Sequence, residues 1–355
     1  MATPTASGFG GVRPAPGAAT VVAVLLAVLA GGCGAAEGDG ASSAAVTSPA
    51  PTATPSPMAS LVPPTDIAAA GGVAVPVDDA DWVQVADGHV WTTLGSEVAV
   101  QLNRSTGAVL KSVPLGGQSC TAMDQGFDSL WIAVCSTPGR VLRLDPATGR
   151  VLARIPLPDD LEIMSEGSVA SGEGFVWVVT VGDERTLVKI DPTRNTVVDR
   201  VPVEVGVAAA RAGEGALWTT NTVTGAVERR DPSTGALVTS VPTGAGARFF
   251  AVGEGAVWVQ NNIDGTVTRV DPATNRAVTT IPVDGGAVDG GDLAVGGGSV
   301  WARVTDSLVV RIDPATNAVV ARYSPPAGSG SVAADPDNAW VSAHDEDLVY
   351  RLPLK

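Results

Sequence analysis

Apolar and polar residues alternate along most of the chain in short runs, separated by turns rich in Gly, Pro, Asp and Asn. The segment 251–261 (AVGEGAVWVQN) has two apolar runs around Gly-Glu-Gly, the pattern of a β-hairpin. The segment 266–283 (TVTRVDPATNRAVTTIPV) has two more runs around Asp-Pro-Ala-Thr-Asn, in which Asp accepts backbone hydrogen bonds and Pro fixes φ. The pattern therefore predicts four strands in each such unit.

This four-strand unit recurs along the chain. An aliphatic residue followed by Trp marks each copy, at Trp91, Trp131, Trp177, Trp218, Trp258, Trp301 and Trp340. The Asp-Pro turn recurs at Asp145, Asp191, Asp231, Asp271 and Asp313, with a degenerate copy at Asn103. Units of this length with four strands are typical of propeller blades, so the fold class predicted is all-β, a seven-bladed β-propeller with four-stranded blades. Trp82 stands outside the series.

The two ends of the repeat region predict how the ring closes. The last unit stops after a third strand at 348–355 (LVYRLPLK), and the segment Val73–Val77 (VAVPV) resembles the fourth-strand ending TIPV of an earlier unit. We therefore expect Val73–Val77 to pair with 348–352 and complete the last blade. Such closure removes an exposed sheet edge.

Composition divides the chain into three parts. Residues 1–32 contain one charge and an apolar run at 18–30, which is too short for a membrane span and predicts a signal peptide. The run ends in Leu-Ala-Gly-Gly-Cys, which resembles a bacterial lipobox and predicts lipidation of Cys33; a plain signal peptide or a membrane anchor is the alternative. Residues 33–70 are rich in Ala, Ser, Thr and Pro and predict a disordered tether. Residues 71–355 hold the propeller.

The remaining two cysteines, Cys120 and Cys135, flank the predicted hairpin tip of the second unit. They should face each other on adjacent strands, which favours a disulfide in an exported protein. Free thiols or a partial metal site are the alternatives.

The chain is acidic, with a formal net charge of −15, and no basic patch is visible in the sequence. Nucleic acid and anionic lipid headgroups are therefore improbable partners, and contact with a membrane is expected only through the lipid anchor. The predicted location is the outer face of a bacterial cytoplasmic membrane, in the cell envelope, and the protein is expected to be a monomer.

The loops of a propeller divide between two faces. We call the face with the first-to-second and third-to-fourth strand turns the hairpin face; here it carries the repeated Gly-Glu-Gly and Asp-Pro turns, which are scaffold. The other loops form the loop face, where sequence varies between units and a site for a protein, peptide or small-molecule ligand is expected. Its acidic residues could bind Ca²⁺ or Mg²⁺, or could serve solubility alone. The candidate ligand or metal residues are His344, Asp345, Asp347, Asp160, Glu162 and Asp183.

Two further patterns have a structural interpretation that we favour over a functional one. A cation recurs two residues before the Asp position, at Arg143, Lys189, Arg229, Arg269, Arg311 and Arg351, where it should pair within or between blades rather than bind an anion. The Trp series should fill the core.

His344 is either a surface loop residue or a metal ligand or general base. The sequence contains no G-x-S-x-G, HExxH or P-loop motif, and no catalytic residue is assigned.

The segments 267–283 and 253–259 resemble the repeats of YVTN/YncE-like seven-bladed propellers. They are also similar to the virginiamycin B lyase (streptogramin lyase) group, which has the same Trp and Arg-Ile-Asp-Pro rhythm. The resemblance implies a propeller throughout residues 71–355 and, from the lyases, a Mg²⁺ site served by more than one His, of which only His344 is available on this face. A binding or scaffold module for a peptide, protein or envelope ligand is the function we favour. The alternatives are a metal-dependent C–O lyase or lactone hydrolase and a quinoprotein-like cofactor enzyme.

Overall fold

The computed structural model describes residues 61–354 except Asp160 and Asp183. The predicted signal peptide, Cys33 and most of the predicted tether lie outside this range. Two short strands precede the first blade, β1 (Thr65–Asp66) and β2 (Val73–Pro76). A single 3₁₀ turn spans His344–Glu346.

The described residues form seven sheets, one per blade, and the four strands of each blade are antiparallel, as predicted. Blade 1 comprises β3 (Ala80–Ala86), β4 (His89–Leu94), β5 (Val98–Leu102) and β6 (Val109–Pro114). Blade 2 comprises β7 (Gln118–Gly126), β8 (Ser129–Cys135), β9 (Arg140–Leu144) and β10 (Val151–Pro156). Blade 3 comprises β11 (Val169–Gly172), β12 (Phe175–Val179), β13 (Thr186–Asp191) and β14 (Thr196–Pro202). Blade 4 comprises β15 (Val207–Gly213), β16 (Ala216–Asn221), β17 (Ala226–Arg230) and β18 (Leu237–Pro242).

The remaining blades follow the same order, with the first strand of each innermost. Blade 5 comprises β19 (Ala247–Gly253), β20 (Ala256–Asn261), β21 (Thr266–Asp271) and β22 (Arg276–Pro282). Blade 6 comprises β23 (Asp292–Gly296), β24 (Ser299–Arg303), β25 (Val309–Asp313) and β26 (Ala318–Ser324). Blade 7 comprises β27 (Val332–Ala334), β28 (Asn338–Ala343), β29 (Leu348–Pro353) and the N-terminal strand β2.

The ring closes as the sequence predicts. Strand β2 pairs antiparallel with β29, with Val73 opposite Arg351 and Pro76 opposite Leu348. The backbone N–H of Val77 continues the ladder by donating to the carbonyl of Asp347 at 2.9 Å. The fourth strand of the last blade thus comes from the start of the propeller.

Regular structure is also present ahead of residue 71. Strand β1 pairs in parallel with β26, which makes the sheet of blade 6 five-stranded. Ile67 follows β1 and is buried in the cluster that contains Trp301. Residues 65–67, which composition assigns to the tether, therefore pack on blade 6.

The seven repeat Trp side chains are fully buried and form the core between blades, as predicted. In four blades the indole N–H donates to the carbonyl of the Gly that ends the inner strand, for example Trp258 to Gly253 at 3.2 Å. The intervening turn needs left-handed backbone at both central residues, and Glu254 and Gly255 have φ of 51° and 69°. The Gly-Glu-Gly repeat is therefore scaffold chemistry.

Four of the six third-strand cations contact the next blade, while Arg311 and Arg351 form hydrogen bonds within their own blade, which confirms the structural interpretation of that series. The guanidinium of Arg269 donates to the carbonyl of Pro314 at 2.8 Å and to Asn317 Oδ1 at 2.7 Å, both in the Asp-Pro turn of the next blade. It also lies 5.1 Å from the ring centre of Trp258 in its own blade. Arg143 and Arg229 repeat the same contacts to the next blade. The cations thus fix blade-to-blade register rather than form an anion site.

The predicted disulfide is present. Cys120 and Cys135 lie on β7 and β8 of blade 2 and are joined through their Sγ atoms, with Cα atoms 5.0 Å apart. A bulge in β7 between Ser119 and Met123 accommodates the bond.

Candidate functional site

The predicted ligand residues around His344 point to different partners. Nδ1 of His344 lies 3.7 Å from Oδ1 of Asp79. Asp347 accepts a hydrogen bond from the backbone N–H of Asp79 at 2.7 Å, across the junction where the ring closes. Asp345 instead accepts from the backbone N–H of Ser329 at 3.2 Å. The structure therefore brings His344 and Asp347 to the segment before β3, while Asp345 faces the channel mouth.

The remaining described candidate is Glu162, in the segment that joins blade 2 to blade 3. Glu162 accepts a hydrogen bond from Thr137 Oγ1 at 2.6 Å, while Asp160 and Asp183 lie outside the described residues. Within residues 61–354, apart from those two, no three His, Cys, Asp or Glu side chains are grouped so that they could hold a metal ion.

A cavity of 490 Å³ lies where the central channel meets the loop face; we call it the mouth. Loops of blades 5, 6 and 7 and the segment before blade 3 line it, and Phe249 contributes to its wall. Arg248 lies 5.0 Å from the ring centre of Phe249 and forms an ion pair with Glu166. Asp289 and Asp345 also line the mouth, and neither has an ion-pair partner within the described part of the chain. The mouth therefore has an excess of carboxylates.

Asp81, next to Trp82 at the start of β3, is linked electrostatically to these groups. Its pKa is raised to about 6, chiefly by burial; His344 opposes the shift, and the negative charges of Glu166, Asp79 and Asp345 add to it. Asp81 is half-buried. Its protonation therefore responds to pH close to neutrality.

A second depression of 560 Å³ lies beside the mouth on the loop face, between the loops of blades 4 and 5; we call it the groove. Its lining is uncharged and consists of 222–225, 242–246 and Ile263. Val223 and Ile263 occupy equivalent positions in the N-x-[V/I]-x-G loops of the two blades, and their exposed fractions are 74% and 66%. Because Asn262 lines the mouth and Ile263 lines the groove, the two depressions adjoin.

Two aromatic side chains close the channel below the mouth. Trp82 on blade 1 and Phe249 on blade 5 have ring centres 6.3 Å apart, although their blades are not neighbours in the ring. Phe249 lines the mouth, whereas Trp82 lines a separate cavity deeper in the channel. The pair therefore forms a partition, which explains why Trp82 departs from the Trp repeat.

The sequence analysis did not predict the groove or the partition, although each leaves a recognisable feature in the sequence. The exposed Val and Ile recur at one loop position in two consecutive units. Trp82 and Phe249 each lie at the third position of an inner strand, where other blades carry small or polar residues. Both signals become informative only when the blades are aligned with one another.

Comparison with known proteins supports the fold. No protein-family model matches the sequence, and no curated protein matches it. The WD40 domain of Neurospora crassa Pan2 is similar in structure, with a TM-score of 0.62 and 12% identity over 79% of this chain and 94% of that domain. U3-55K is similar with a TM-score of 0.64 and 11% identity over 80% of this chain and 98% of the other. At these identities the similarity shows the β-propeller fold. In residues 61–354, no helix is long and apolar enough for a membrane crossing.

Proposed function

We propose that this protein is an exported, lipid-anchored binding module that holds a peptide or protein ligand on the loop face of its propeller. The observation that carries the proposal is the pair of adjoining depressions there. The groove presents two exposed aliphatic side chains, Val223 and Ile263, and the mouth beside it has unpaired carboxylates. Contiguous exposed apolar surface rimmed by polar groups is typical of interaction sites.

The ligand that fits both depressions is an extended peptide. An apolar side chain would cover Val223 and Ile263, and a basic side chain a few residues away would reach Asp289 or Asp345. Burial of the two aliphatic side chains would stabilise the complex through the hydrophobic effect, and the carboxylates would favour a ligand with a positive charge. The resemblance of the repeats to YVTN/YncE-like propellers supports such a scaffold role.

Binding suits this geometry better than acid–base catalysis. General acid–base catalysis requires a proton donor and a proton acceptor within hydrogen-bond reach of one reacting group. The His344–Asp79 distance of 3.7 Å is longer than a hydrogen bond, and Asp347 is engaged in closing the ring.

A random peptide library selected on the immobilised protein tests the proposal. Selected peptides should share an apolar residue near a basic one, and fluorescence polarisation should give saturable binding. The double variant Val223→Asp, Ile263→Asp should lose that binding. Val238→Asp is the matched control, because Val238 is 59% exposed on the outer strand of blade 4, away from the loop face. Equal loss in the control, or no loss in the double variant, would reject the loop face as the site.

The lipid anchor is tested separately. Cys33→Ser should move the protein from the membrane fraction to the soluble fraction of an export-competent bacterium, because the predicted diacyl group would have no attachment point. Cys120→Ser, which removes a cysteine of the propeller, should leave the protein in the membrane fraction. Unchanged anchoring of the Cys33 variant would refute lipidation at this residue.

A further inference from the structure

The deeper part of the central channel contains a cavity of 160 Å³ that the proposed peptide site does not use. Trp82 closes it on the side of the mouth. At the other end it extends to Val85, Val252 and Val295, the penultimate residues of three inner strands at the hairpin face. The cavity can therefore be entered from the hairpin face and is large enough for several water-sized groups.

Three charged side chains line this cavity: Asp124, Arg211 and Asp292. Asp124 accepts hydrogen bonds from the backbone N–H and the Oγ of Ser171 at 2.6 and 3.0 Å. Arg211 uses Nη1 to donate to the carbonyls of Gly167 and Ala210 at 3.1 and 2.9 Å. These contacts hold the guanidinium in place but direct its Nη1 hydrogen bonds to backbone carbonyls rather than to Asp124 or Asp292.

Asp292 has one carboxylate oxygen without a hydrogen-bond partner among the described residues. It is 2% exposed, and its Oδ2 accepts from the backbone N–H of Val332 at 3.2 Å. Its Oδ1 has no hydrogen-bond partner within the described residues, and the nearest cationic atom, Nη2 of Arg211, is 3.9 Å away. Buried carboxylate oxygens are normally hydrogen-bonded, so an unsatisfied one that faces a cavity indicates a missing donor.

The net charge of the cavity and its apolar lining indicate which hydrogen-bond donor it would accept. With both carboxylates ionised, the two aspartates and Arg211 carry a net charge of one negative unit, which a monocation balances and a dication exceeds. Ala251, Ala294 and Ala333 line the cavity with methyl groups. A primary ammonium has three N–H donors and no acceptor, and an unbranched aliphatic stem fits a narrow apolar wall.

We propose that the channel binds a primary ammonium group on an unbranched aliphatic stem, with the ammonium at Asp292 and Asp124 and the stem along the alanine wall. The group enters from the hairpin face and is separated by Trp82 from the peptide site at the mouth. Its source is either a free alkylamine or the side chain of a lysine in a docking partner.

A proton competes with this ligand. The pKa of Asp292 is raised to about 7, chiefly because the carboxyl group is buried; Arg211 and the N–H of Val332 oppose the shift, and the negative charge of Glu166 adds to it. Burial also raises the pKa of Asp124, against the effect of Arg211 and Ser171. The ammonium requires the ionised carboxylate, so its binding releases protons at neutral pH and strengthens as pH rises.

Isothermal titration of the purified protein with n-butylammonium chloride tests the proposal, with sodium chloride and tetramethylammonium chloride at equal ionic strength as controls. We expect saturable binding of n-butylammonium alone. Buffers of different ionisation enthalpy should show release of about half a proton per ligand at pH 7 and almost none at pH 9. An N-acetylated, C-amidated Gly-Lys-Gly peptide distinguishes the two sources, because its binding would show that a lysine side chain can enter.

Variants locate the binding. Asp292→Asn should weaken n-butylammonium at least tenfold, whereas Asp87→Asn, an exposed residue of the hairpin face in blade 1, should not change it. Ala294→Leu keeps all three charged groups but fills the space that the aliphatic stem of the ligand would occupy, so it should also abolish binding. Circular dichroism establishes that each variant is folded. The proposal is overturned if n-butylammonium shows no saturable binding, or if both folded variants bind as tightly as wild type.

Discussion

The two faces of the propeller use similar residues for different purposes. On the hairpin face, each Asp-Pro turn is locally satisfied: Asp271 accepts the backbone N–H of Ala273 at 2.8 Å, and Arg229 of the preceding blade binds Asn275 of the same turn. On the loop face, Asp289 and Asp345 line an open cavity, and Val223 and Ile263 are exposed. The comparison teaches that polar groups repeated in most blades have their partners within the scaffold, whereas the acidic groups of the loop face that differ between blades are open to a ligand.

Removing the closing strand should have the largest effect on this arrangement. Deletion of 71–77 strips the fourth strand from blade 7 and exposes the edge of β29, so we expect loss of the cooperative unfolding transition. The packing of Val75 and Val77 against Trp340 and Val349 would also be lost. Chemical denaturation followed by tryptophan fluorescence measures this, with a deletion of equal length at 47–53 as control. A cooperative transition retained at wild-type midpoint would contradict the closure.

The buried Trp series should give the next largest effect. Trp258→Ala empties a fully buried site between blades and should reduce the free energy of unfolding by about 3–5 kcal/mol. Ile263→Ala, in the loop that follows the same hairpin, should change it by less than about 0.5 kcal/mol because the side chain is exposed. Similar costs for the two variants would remove the distinction between scaffold and loop face.

The channel carboxylates predict an unusual pH dependence. The pKa of Asp292 rises from 3.8 to about 7 in the folded protein, so the folded state binds more protons than the unfolded state between these values. This group therefore contributes stability that is lost as pH rises through 7, and the raised pKa of Asp81 acts in the same direction. Asp292→Asn cannot lose a proton, so its stability relative to wild type should improve by about 2 kcal/mol from pH 5 to pH 8. Urea denaturation at both pH values measures the difference, and a constant offset would refute the shift.

The blade-to-blade cations should contribute least among these groups. Arg269→Met removes two hydrogen bonds to the neighbouring Asp-Pro turn but retains the aliphatic stem, which should cost about 1–2 kcal/mol. Arg276→Met is the control, because Arg276 is exposed on the outer strand of the same blade. Thermal melts compare the two, and an equal cost would show that the inter-blade contacts carry no specific stability.

The sequence was sufficient for the scaffold because its determinants are local and repeated. Trp spacing and Asp-Pro turns predicted the blades, and the likeness of Val73–Val77 to the fourth-strand ending TIPV predicted the closing strand. The positions of Cys120 and Cys135 on either side of one hairpin tip predicted their bond. The site residues depend on contacts between distant units. Trp82 meets Phe249 across the ring, and Asp292 meets Arg211 two blades away.

A signal for the channel charges was nevertheless present. The residue opposite each core Trp on the inner strand faces the channel region: it is Ala in four blades, and Gln84, Asp124 and Arg211 in the other three. A polar residue at this position departs from the repeat. The candidate set around His344 was chosen from proximity in sequence, and sequence proximity does not fix side-chain direction in a tight 3₁₀ turn.

Hydrogen–deuterium exchange with and without a library-selected peptide tests the central claim most directly. If the loop face is the binding surface, the peptide should slow backbone exchange in the loops 222–225, 243–246 and 262–264. The Asp-Pro turns at 231–235 and 271–275, on the opposite face of the same blades, should exchange at unchanged rates. Protection confined to those turns would contradict the account, because it would place the ligand on the face that we assign to the scaffold.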